Sequence, residues 1–297
     1  MAGNYYKTKT RGIIGAVLLS GLLFCVSCTG PAVSTGFDKQ PVTLILGAFN
    51  AEVAPIQKEL VEKQRGLIEG IDFVKGKLRD RIVVVTWTGV GKINAAMTTT
   101  LFIEHFHPNE VIVCGIAGAI NPQLSVGDVV IAEKSLQHDY GRWTDASIER
   151  SGTINRLTEK RNPKFFTADE RLLDVAGRAG DQTSLKIITI EGKERPTKVI
   201  KGVVVTGDTF IMSPQKKAEL RNRLGADAVE MEGAAIAQIC YQRGISHIVI
   251  RGISDTADEK AVQDMGIFQN IAIENAAAVV CKMAELIKTQ SQTGKKE

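Results

Sequence analysis

Runs of Val, Ile and other apolar residues recur along the chain with little polar interruption, at residues 42–49, 82–88, 110–116, 128–132, 203–206 and 247–253. Several of these runs are too continuous for a strand with one face in water, so they predict a sheet that is covered on both faces. Patterns with helical periodicity lie between them, at residues 54–63, 93–106, 214–224, 233–243 and 267–287. This alternation of strands and helices is typical of the α/β class.

Capping signals mark several of the predicted helix ends. Ser213 precedes Pro214, which is the pattern of an N-cap followed by proline at the first helical position. Gly225 and Gly244 stand where C-caps are expected. No internal repeat and no second domain boundary is visible in the sequence, so we predict one folded domain over residues 41–287.

The first 28 residues have the pattern of an export signal: a basic start, an apolar run at residues 12–24, and Ser27 just before Cys28. Cys28 resembles the acceptor cysteine of a bacterial lipoprotein signal, which predicts an exported protein anchored to a membrane through a lipidated Cys28. A plain cleaved signal peptide or an uncleaved anchor remains the alternative. The predicted domain is flanked by a polar linker and a polar tail, at residues 29–40 and 288–297.

Composition argues against a nucleic-acid partner. The net charge is +4, and three basic residues lie in the export segment, which leaves 34 basic against 33 acidic residues. Aromatic residues make up only 5% of the chain, and the sequence has no basic patch with interleaved aromatics. Cys114, Cys240 and Cys281 lie in apolar contexts without paired spacing, so we predict buried thiols and no disulfide framework.

Several familiar motifs are incomplete. The segment Gly89-Val90-Gly91-Lys92 lacks the first glycine and the final Ser or Thr of a phosphate loop, and it lacks the third glycine of a dinucleotide fingerprint. It predicts a tight turn between strand and helix, with or without amides that approach a ligand. His105 and His107 are two residues apart on a predicted helix and point to different faces, so no metal site is predicted there. The sequence also lacks the Gly-x-Ser-x-Gly elbow of a serine nucleophile.

Carboxylates follow the ends of four predicted strands: Glu52, Asp208, Glu230 with Glu232, and Asp255. Open α/β sheets bind ligands at the carboxyl ends of their strands, so these side chains are candidates for one site. Each of them taken alone is better explained as an acid at the start of the following helix. Their recurrence at four strand ends favours a shared site.

Several ordered motifs resemble one family. Val229-Glu230-Met231-Glu232, followed about 20 residues later by Arg251-x-Ile253-Ser254-Asp255, is similar to the nucleoside phosphorylase/nucleosidase superfamily. Gly47-Ala48-x-x-x-Glu52-Val53 and the segments at 89–96 and 115–128 resemble the 5′-methylthioadenosine/S-adenosylhomocysteine nucleosidases within it. The resemblance spans residues 42–287 and is weakest at 141–200, where charges are many and periodicity is weak. It implies a three-layer αβα sandwich with a central mixed sheet, and a homodimer.

The resemblance also implies roles on the purine side of a site. Cleavage of the bond between ribose C1′ and purine N9 builds an oxocarbenium-like sugar and negative charge on the departing base. Asp255 would protonate purine N7 as a general acid, and Ser254 would help to hold it. Phe210 would stack on the base, and the backbone of Ile211 would bind its edge.

On the ribose side, the resemblance implies that Glu232 hydrogen-bonds the hydroxyls and that Met231 packs under the sugar. Glu52 would orient and deprotonate the attacking water, and Arg251 would position Glu52 by a charge-assisted hydrogen bond. No metal and no cofactor is implied.

Two further substrate-binding positions depart from the family pattern, because Phe49 stands where such nucleosidases often have Met and Ile116 where they often have Ser.

The predicted function is hydrolysis of 5′-methylthioadenosine, S-adenosylhomocysteine or a related adenine nucleoside, with release of adenine. The alternatives are a purine nucleoside phosphorylase and a non-catalytic nucleoside-binding surface lipoprotein. Related phosphorylases hold phosphate with two arginines, one near the first glycine turn and one just before the Gly-x-x-Gly segment. In this sequence Glu52 and Val113-Cys114 occupy these two regions. A carboxylate there would repel phosphate by on the order of several kcal/mol, which favours water as nucleophile.

Overall fold

The computed structural model describes residues 40–145, 147–190 and 192–287. The predicted export segment with Cys28, the linker as far as residue 39 and the tail at 288–297 lie outside the described residues. The strands in the described part are β1 (Val42–Gly47), β2 (Val61–Ile68), β3 (Ile71–Leu78), β4 (Arg81–Trp87), β5 (Glu110–Ala119), β6 (Val129–Gln137), β7 (Gly141–Trp143), β8 (Ile148–Arg150), β9 (Phe166–Thr167), β10 (Ile188–Ile190), β11 (Lys193–Arg195), β12 (Val199–Thr206), β13 (Ala228–Glu230) and β14 (Ser246–Asp255). The helices are α1 (Asn50–Glu59), α2 (Lys92–Phe106), α3 (Glu170–Gln182), α4 (Pro214–Leu224), α5 (Gly233–Arg243) and α6 (Ala261–Leu286).

The central sheet is mixed, and its strands follow the order β13-β12-β6-β14-β5-β1-β4-β3-β2, with β9 added to β6. β1 pairs in parallel with β4 and β5, and β14 pairs in parallel with β5. β6 runs antiparallel to β14, and β2, β3 and β4 form an antiparallel meander at one edge. The prediction of an α/β fold with a central mixed sheet is therefore confirmed.

Helices cover both faces of the sheet. Alternate residues of β1 point to opposite faces, so Ile45 packs with α1 and α6 while Leu44 packs with α2 and α5. α3 joins the first of these layers, and α4 packs Leu220 against a third cluster at the β12 end of the sheet. The described residues thus form the predicted three-layer sandwich. No helix among them is long and apolar enough to cross a membrane.

The predicted helix at 54–63 is wrong in its last part, because α1 ends at Glu59 and β2 begins at Val61. β2 and β3 form a hairpin that the sequence analysis does not contain. Its turn has positive φ at both Glu69 (49°) and Gly70 (82°), which is the geometry of a type I′ turn. β2 is charged and largely exposed, so it lacks the alternation by which a strand is predicted.

Two other helices differ from the prediction. α3 lies in the stretch where no element is predicted, although its buried residues Leu172, Val175, Ala176 and Ala179 have helical spacing. α6 begins at Ala261, six residues before the predicted start. The bounds of α4 and α5 agree with the prediction, and the predicted caps are present in both.

Candidate active site

A cavity of about 400 Å³ lies where the parallel strands end. Eight of the ten predicted site residues line it: Phe49, Glu52, Ile116, Phe210, Met231, Glu232, Ser254 and Asp255. Arg251 is fully buried behind the carboxylates, and the side chain of Ile211 packs in the neighbouring core cluster. The strand-end rule therefore brings together residues from β1, β5, β12, β13 and β14.

Glu52 lies in the first turn of α1 and is almost completely buried. Its Oε1 accepts the N–H of Ile116 at 2.8 Å, and its Oε2 accepts the N–H groups of Ala48 and Phe49. Burial raises the pKa of Glu52 above its ordinary value, although Arg251 and the three backbone donors oppose the rise. These contacts hold the carboxylate in one orientation.

Arg251, near the middle of β14, has three carboxylates around its guanidinium. Its Nη2 hydrogen-bonds Glu230 and lies 3.4 Å from Oε2 of Glu232, and its Nη1 lies 3.8 Å from Oε1 of Glu52. The predicted direct hydrogen bond between Arg251 and Glu52 is not formed, because 3.8 Å is too long for one. Glu230 is bound by Nη2, and the buried Nη1 has no hydrogen-bond partner among the described residues. With all three carboxylates ionised, this group carries an excess of negative charge in the interior.

Glu230 and Glu232 have different roles in the structure. Glu230 accepts the N–H groups of Glu232 (3.1 Å) and Gly233 (2.7 Å), so it caps the start of α5. Glu232 accepts the N–H of Gly91 at 2.8 Å and lines the cavity. Burial raises the pKa of Glu232 to about 7; Arg251 lowers it and nearby Glu230 raises it further.

Asp255 ends β14 and is buried. Its Oδ2 accepts the hydroxyl of Ser254 at 2.8 Å, and its Oδ1 accepts the N–H of Ala257 at 2.9 Å. Burial raises the pKa of Asp255, these two hydrogen bonds lower it, and the like charges of Asp264 and Asp258 raise it further, with a net rise. Asp255 thus holds its proton more strongly than an exposed aspartate does.

Asp208 does not line the cavity, although it also follows a strand end. Its Oδ1 accepts the N–H of Lys92, the first residue of α2, at 2.7 Å. Asp208 therefore does lie at a helix start, but the helix is α2 and not the following helix α4, whose N-cap is Ser213.

The other cavity wall was missed by the sequence analysis. Val262, Met265 and Gln269 line it from α6, at spacings of three and four residues that place them on one helix face. Val262 and Met265 continue the apolar pattern of α6 upstream of its predicted start, which is the signal that identifies them, whereas Gln269 lies inside the predicted helix. Val90, in the glycine turn before α2, also lines the cavity.

Glycine is required at one point beside the carboxylates. A Cβ atom on Gly115 would overlap with Nη1 of Arg251 and with Oε1 of Glu52. Only a residue without a side chain lets β5 pass this ion pair.

The site offers acid–base chemistry from carboxylates. The described residues contain no group of three or more His, Cys, Asp or Glu side chains with metal-binding geometry. A buried aspartate with a raised pKa, a second carboxylate near a guanidinium and an apolar cavity together suit a reaction that protonates one part of a ligand and activates a nucleophile at another.

The sequence profile of the phosphorylase superfamily matches residues 43–285. This α/β sandwich with carboxylates at its strand ends therefore belongs to the phosphorylase superfamily.

Individual relatives narrow the assignment. The chain is 35% identical over 245 residues to the 5′-methylthioadenosine/S-adenosylhomocysteine nucleosidase of Geobacillus kaustophilus (strain HTA426), which is 82% of this chain and 97% of that protein. The fold of the present chain is similar to that of the 5′-methylthioadenosine/S-adenosylhomocysteine nucleosidase of Neisseria meningitidis in complex with methylthio-immucillin-A (TM-score 0.69, 30% identity, covering 83% of this chain and 99% of the other). It is also similar to the futalosine hydrolase of Helicobacter pylori strain 26695 (TM-score 0.71, 27% identity, 83% and 98%). Within the superfamily, the chain belongs to the 5′-methylthioadenosine/S-adenosylhomocysteine nucleosidase family.

Proposed function

We propose that the protein hydrolyses the N-glycosidic bond of a 5′-modified adenine nucleoside, such as 5′-methylthioadenosine or S-adenosylhomocysteine, and releases adenine. The observation that carries this proposal is the placement of Glu52, Glu232 and Asp255, three of the four buried carboxylates that line one cavity; the fourth, Glu230, caps α5. The reaction needs an acid for the departing base, hydrogen bonds to the ribose and a base for the attacking water.

The environments of two carboxylates support opposite proton-transfer roles. Asp255 has no cation among the charges that act on it and faces like charges, so it is the group that keeps a proton for purine N7. Glu52 lies near the Arg251 guanidinium and accepts three backbone N–H groups, all of which favour the carboxylate form. Glu52 is thus the base that takes a proton from water, while Asp255 is the acid, with Ser254 fixing its orientation.

The remaining contacts suit a nucleoside. Glu232 binds the ribose hydroxyls through its carboxylate oxygens. The N–H of Gly91 holds one of these oxygens and Arg251 lies near the other. Met231 packs beneath the sugar. Phe210 is 44% exposed at the cavity edge, where its ring stacks on the purine, and the backbone of the following residue, Ile211, binds the edge of the base. The negative charge of the site stabilises the cationic ribose of the transition state.

Water is a better nucleophile for this cavity than phosphate. No Lys or Arg is among the described residues that line it, whereas Glu52 lies where the nucleophile must approach. A phosphate dianion would meet the Glu52 carboxylate, and the single positive charge of Arg251 behind it is already shared by three carboxylates. Ile116 stands where relatives often have Ser, but its backbone N–H still donates to Glu52. The departure therefore does not remove this hydrogen bond to the general base Glu52.

The test is to offer the purified protein 5′-methylthioadenosine, S-adenosylhomocysteine and adenosine, with and without phosphate, and to measure free adenine. We expect adenine release that does not depend on phosphate, with a free sugar as the second product. Release that requires phosphate and yields a ribose 1-phosphate would identify a phosphorylase. Binding of these nucleosides without release of base would favour the non-catalytic binding protein.

We also propose a homodimer that covers the mouth of the site. Val90 in the turn before α2 is 50% exposed and lines the cavity, and Ile93 and Met97, one turn apart on α2, are 82% and 52% exposed. A second copy would remove this apolar strip from water. We expect a dimer mass by light scattering and a monomer for Ile93→Asp, whereas the control Leu67→Asp, at a site on β2 that is 71% exposed, keeps the dimer. A monomeric wild-type protein would contradict the proposal.

Finally, we propose that the protein is exported and anchored through a lipid on Cys28. The support is the sequence pattern alone: an apolar run and small Ser27 before the cysteine. Metabolic labelling with a radioactive fatty acid should mark the wild type and the control Cys25→Ser, and Cys28→Ser should lose the label. Equal labelling of both variants, or none of the wild type, would reject lipidation at Cys28.

A further inference from the structure

The glycine turn between β4 and α2 contacts the site without matching any known phosphate or dinucleotide motif. Gly91 has a φ of +95° and donates its N–H to Oε1 of Glu232 at 2.8 Å. A side chain at Gly91 would be strained at this φ, so the turn depends on glycine. The position of the Glu232 carboxylate therefore depends on where this turn lies.

Lys92, the next residue, ties the turn to two other segments. Its Nζ lies 2.7 Å from Oδ1 of Asp139 and 3.7 Å from Oδ2 of Asp208. Its backbone N–H donates to Oδ1 of Asp208 at 2.7 Å, and the N–H of Asp208 donates to Oδ2 of Asp139 at 2.9 Å. One ammonium group thus joins the glycine turn, the segment after β6 and the segment after β12.

This cluster differs from an ordinary surface ion pair. The Lys92 side chain is only 17% exposed, and its single positive charge lies within 3.7 Å of two carboxylates. Burial raises the pKa of Asp139, but hydrogen bonds from the Lys92 ammonium and the Asp208 N–H outweigh this effect and leave the pKa below its ordinary value. Without the ammonium, the two carboxylates would repel each other and push apart the segments that carry them.

We infer that Lys92 is a positioning residue that holds the glycine turn so that Gly91 fixes the Glu232 carboxylate for the ribose. The turnover test of this inference rests on the proposed function, and a second test does not. Asp139 and Asp208 are the anchors of Lys92, and none of the three lines the cavity. Lys92 acts on the substrate through Glu232.

The first test compares Lys92→Met with Lys92→Arg and with the control Lys77→Met, which breaks an ion pair of the same 2.7 Å length between Lys77 of β3 and Glu62 of β2. With 5′-methylthioadenosine we expect Lys92→Met to lose about tenfold in kcat/KM, because a ribose contact is misplaced. Lys92→Arg should recover most of the loss, and Lys77→Met should lose nothing.

The substrate supplies the sharper control. With the 2′,3′-dideoxy form of 5′-methylthioadenosine, Glu232 has no hydroxyl to bind, so the loss caused by Lys92→Met should shrink to less than about twofold. An equal loss with both substrates would overturn the inference, since it would show that Lys92 does not act through Glu232.

The second test needs no turnover. Amide hydrogen exchange in the ligand-free protein should be about tenfold faster at Gly91 in Lys92→Met than in the wild type, and unchanged in Lys77→Met. The double variant Lys92→Met/Asp139→Asn should exchange more slowly than Lys92→Met, because it relieves the carboxylate repulsion. Unchanged exchange at Gly91 would overturn the inference even if the wild type released no adenine, an outcome that would refute the proposed function separately.

Discussion

Replacement of Glu52 by Gln tests the assignment of the base with little change of shape. Loss of a general base lowers kcat by about 10²- to 10⁴-fold, which raises the barrier by about 3–5 kcal/mol. An amide also has one acceptor oxygen where the carboxylate has two. If that oxygen keeps the N–H of Ile116, the amide NH₂ faces the N–H groups of Ala48 and Phe49. Each buried donor left unpaired costs about 1–3 kcal/mol of unfolding free energy, and relief of the buried charge offsets part of this cost.

The assay follows adenine release under saturating substrate, together with the Kd of adenine and the unfolding midpoint in urea. Glu52→Gln should retain adenine binding while turnover falls by the factor above. The matched control is Glu59→Gln in the same helix, since Glu59 is exposed and lies away from the cavity. A kcat within tenfold of the wild type in a folded Glu52→Gln protein would refute the role of Glu52 as base.

Four further outcomes are expected. Asp255→Asn should lower the rate about 10²- to 10⁴-fold, because an amide cannot donate the proton. The decrease in wild-type rate at alkaline pH should also be absent from this variant, and a decrease that persists would belong to the titration of another group. Glu232 has a folded pKa of about 7 against an ordinary 4.5, so folding takes up a proton between these values and stability falls as pH rises through them. In urea unfolding between pH 4.5 and 7, the free energy of unfolding of the wild type should fall relative to that of Glu232→Gln by up to about 1.4 kcal/mol per pH unit. The same pH dependence in both proteins would refute the raised pKa of Glu232. Gly115→Ala should cost about 1–3 kcal/mol of unfolding free energy and most of the activity through overlap with the flanking ion pair, whereas Gly266→Ala, where an added Cβ meets nothing within 4 Å, should keep both. The Gln269 side chain lines the cavity and offers an amide to a polar substrate group. Gln269→Leu should therefore shift the kcat/KM preference about threefold or more from S-adenosylhomocysteine, with its polar amino-acid end, toward 5′-methylthioadenosine, and an unchanged kcat/KM ratio would exclude a role of Gln269 in selectivity.

Elements with strong local signals are the ones that sequence predicts correctly. α4 begins at the predicted Pro214, and Gly225 ends it in the left-handed conformation. The β2–β3 hairpin is missed for the opposite reason. β2 is an exposed edge strand, so no buried face imposes a pattern on it, and only the turn at Gly70 marks the hairpin.

The site shows a similar division. The strand-end rule and the family resemblance together identify Glu52 and Asp255, because parallel strands bring their carboxyl ends to one edge. The same rule includes Asp208, which only the structure shows to bind the start of α2. The partner of Arg251 was also not predictable, since the choice between Glu230 and Glu52 depends on distances across the sheet.

The order of strands has a consequence for how activity appears during folding. Glu52 follows β1 and Asp255 ends β14, and both strands pair with β5, which lies between them in the sheet. Residues 203 positions apart in the chain therefore become neighbours only when loops of great length have closed. Such non-local pairing is slow, because the entropy of closure is lost before the contacts form. Recovery of turnover after dilution from denaturant should consequently lag behind recovery of helical signal, and neither half of the chain alone should regain activity.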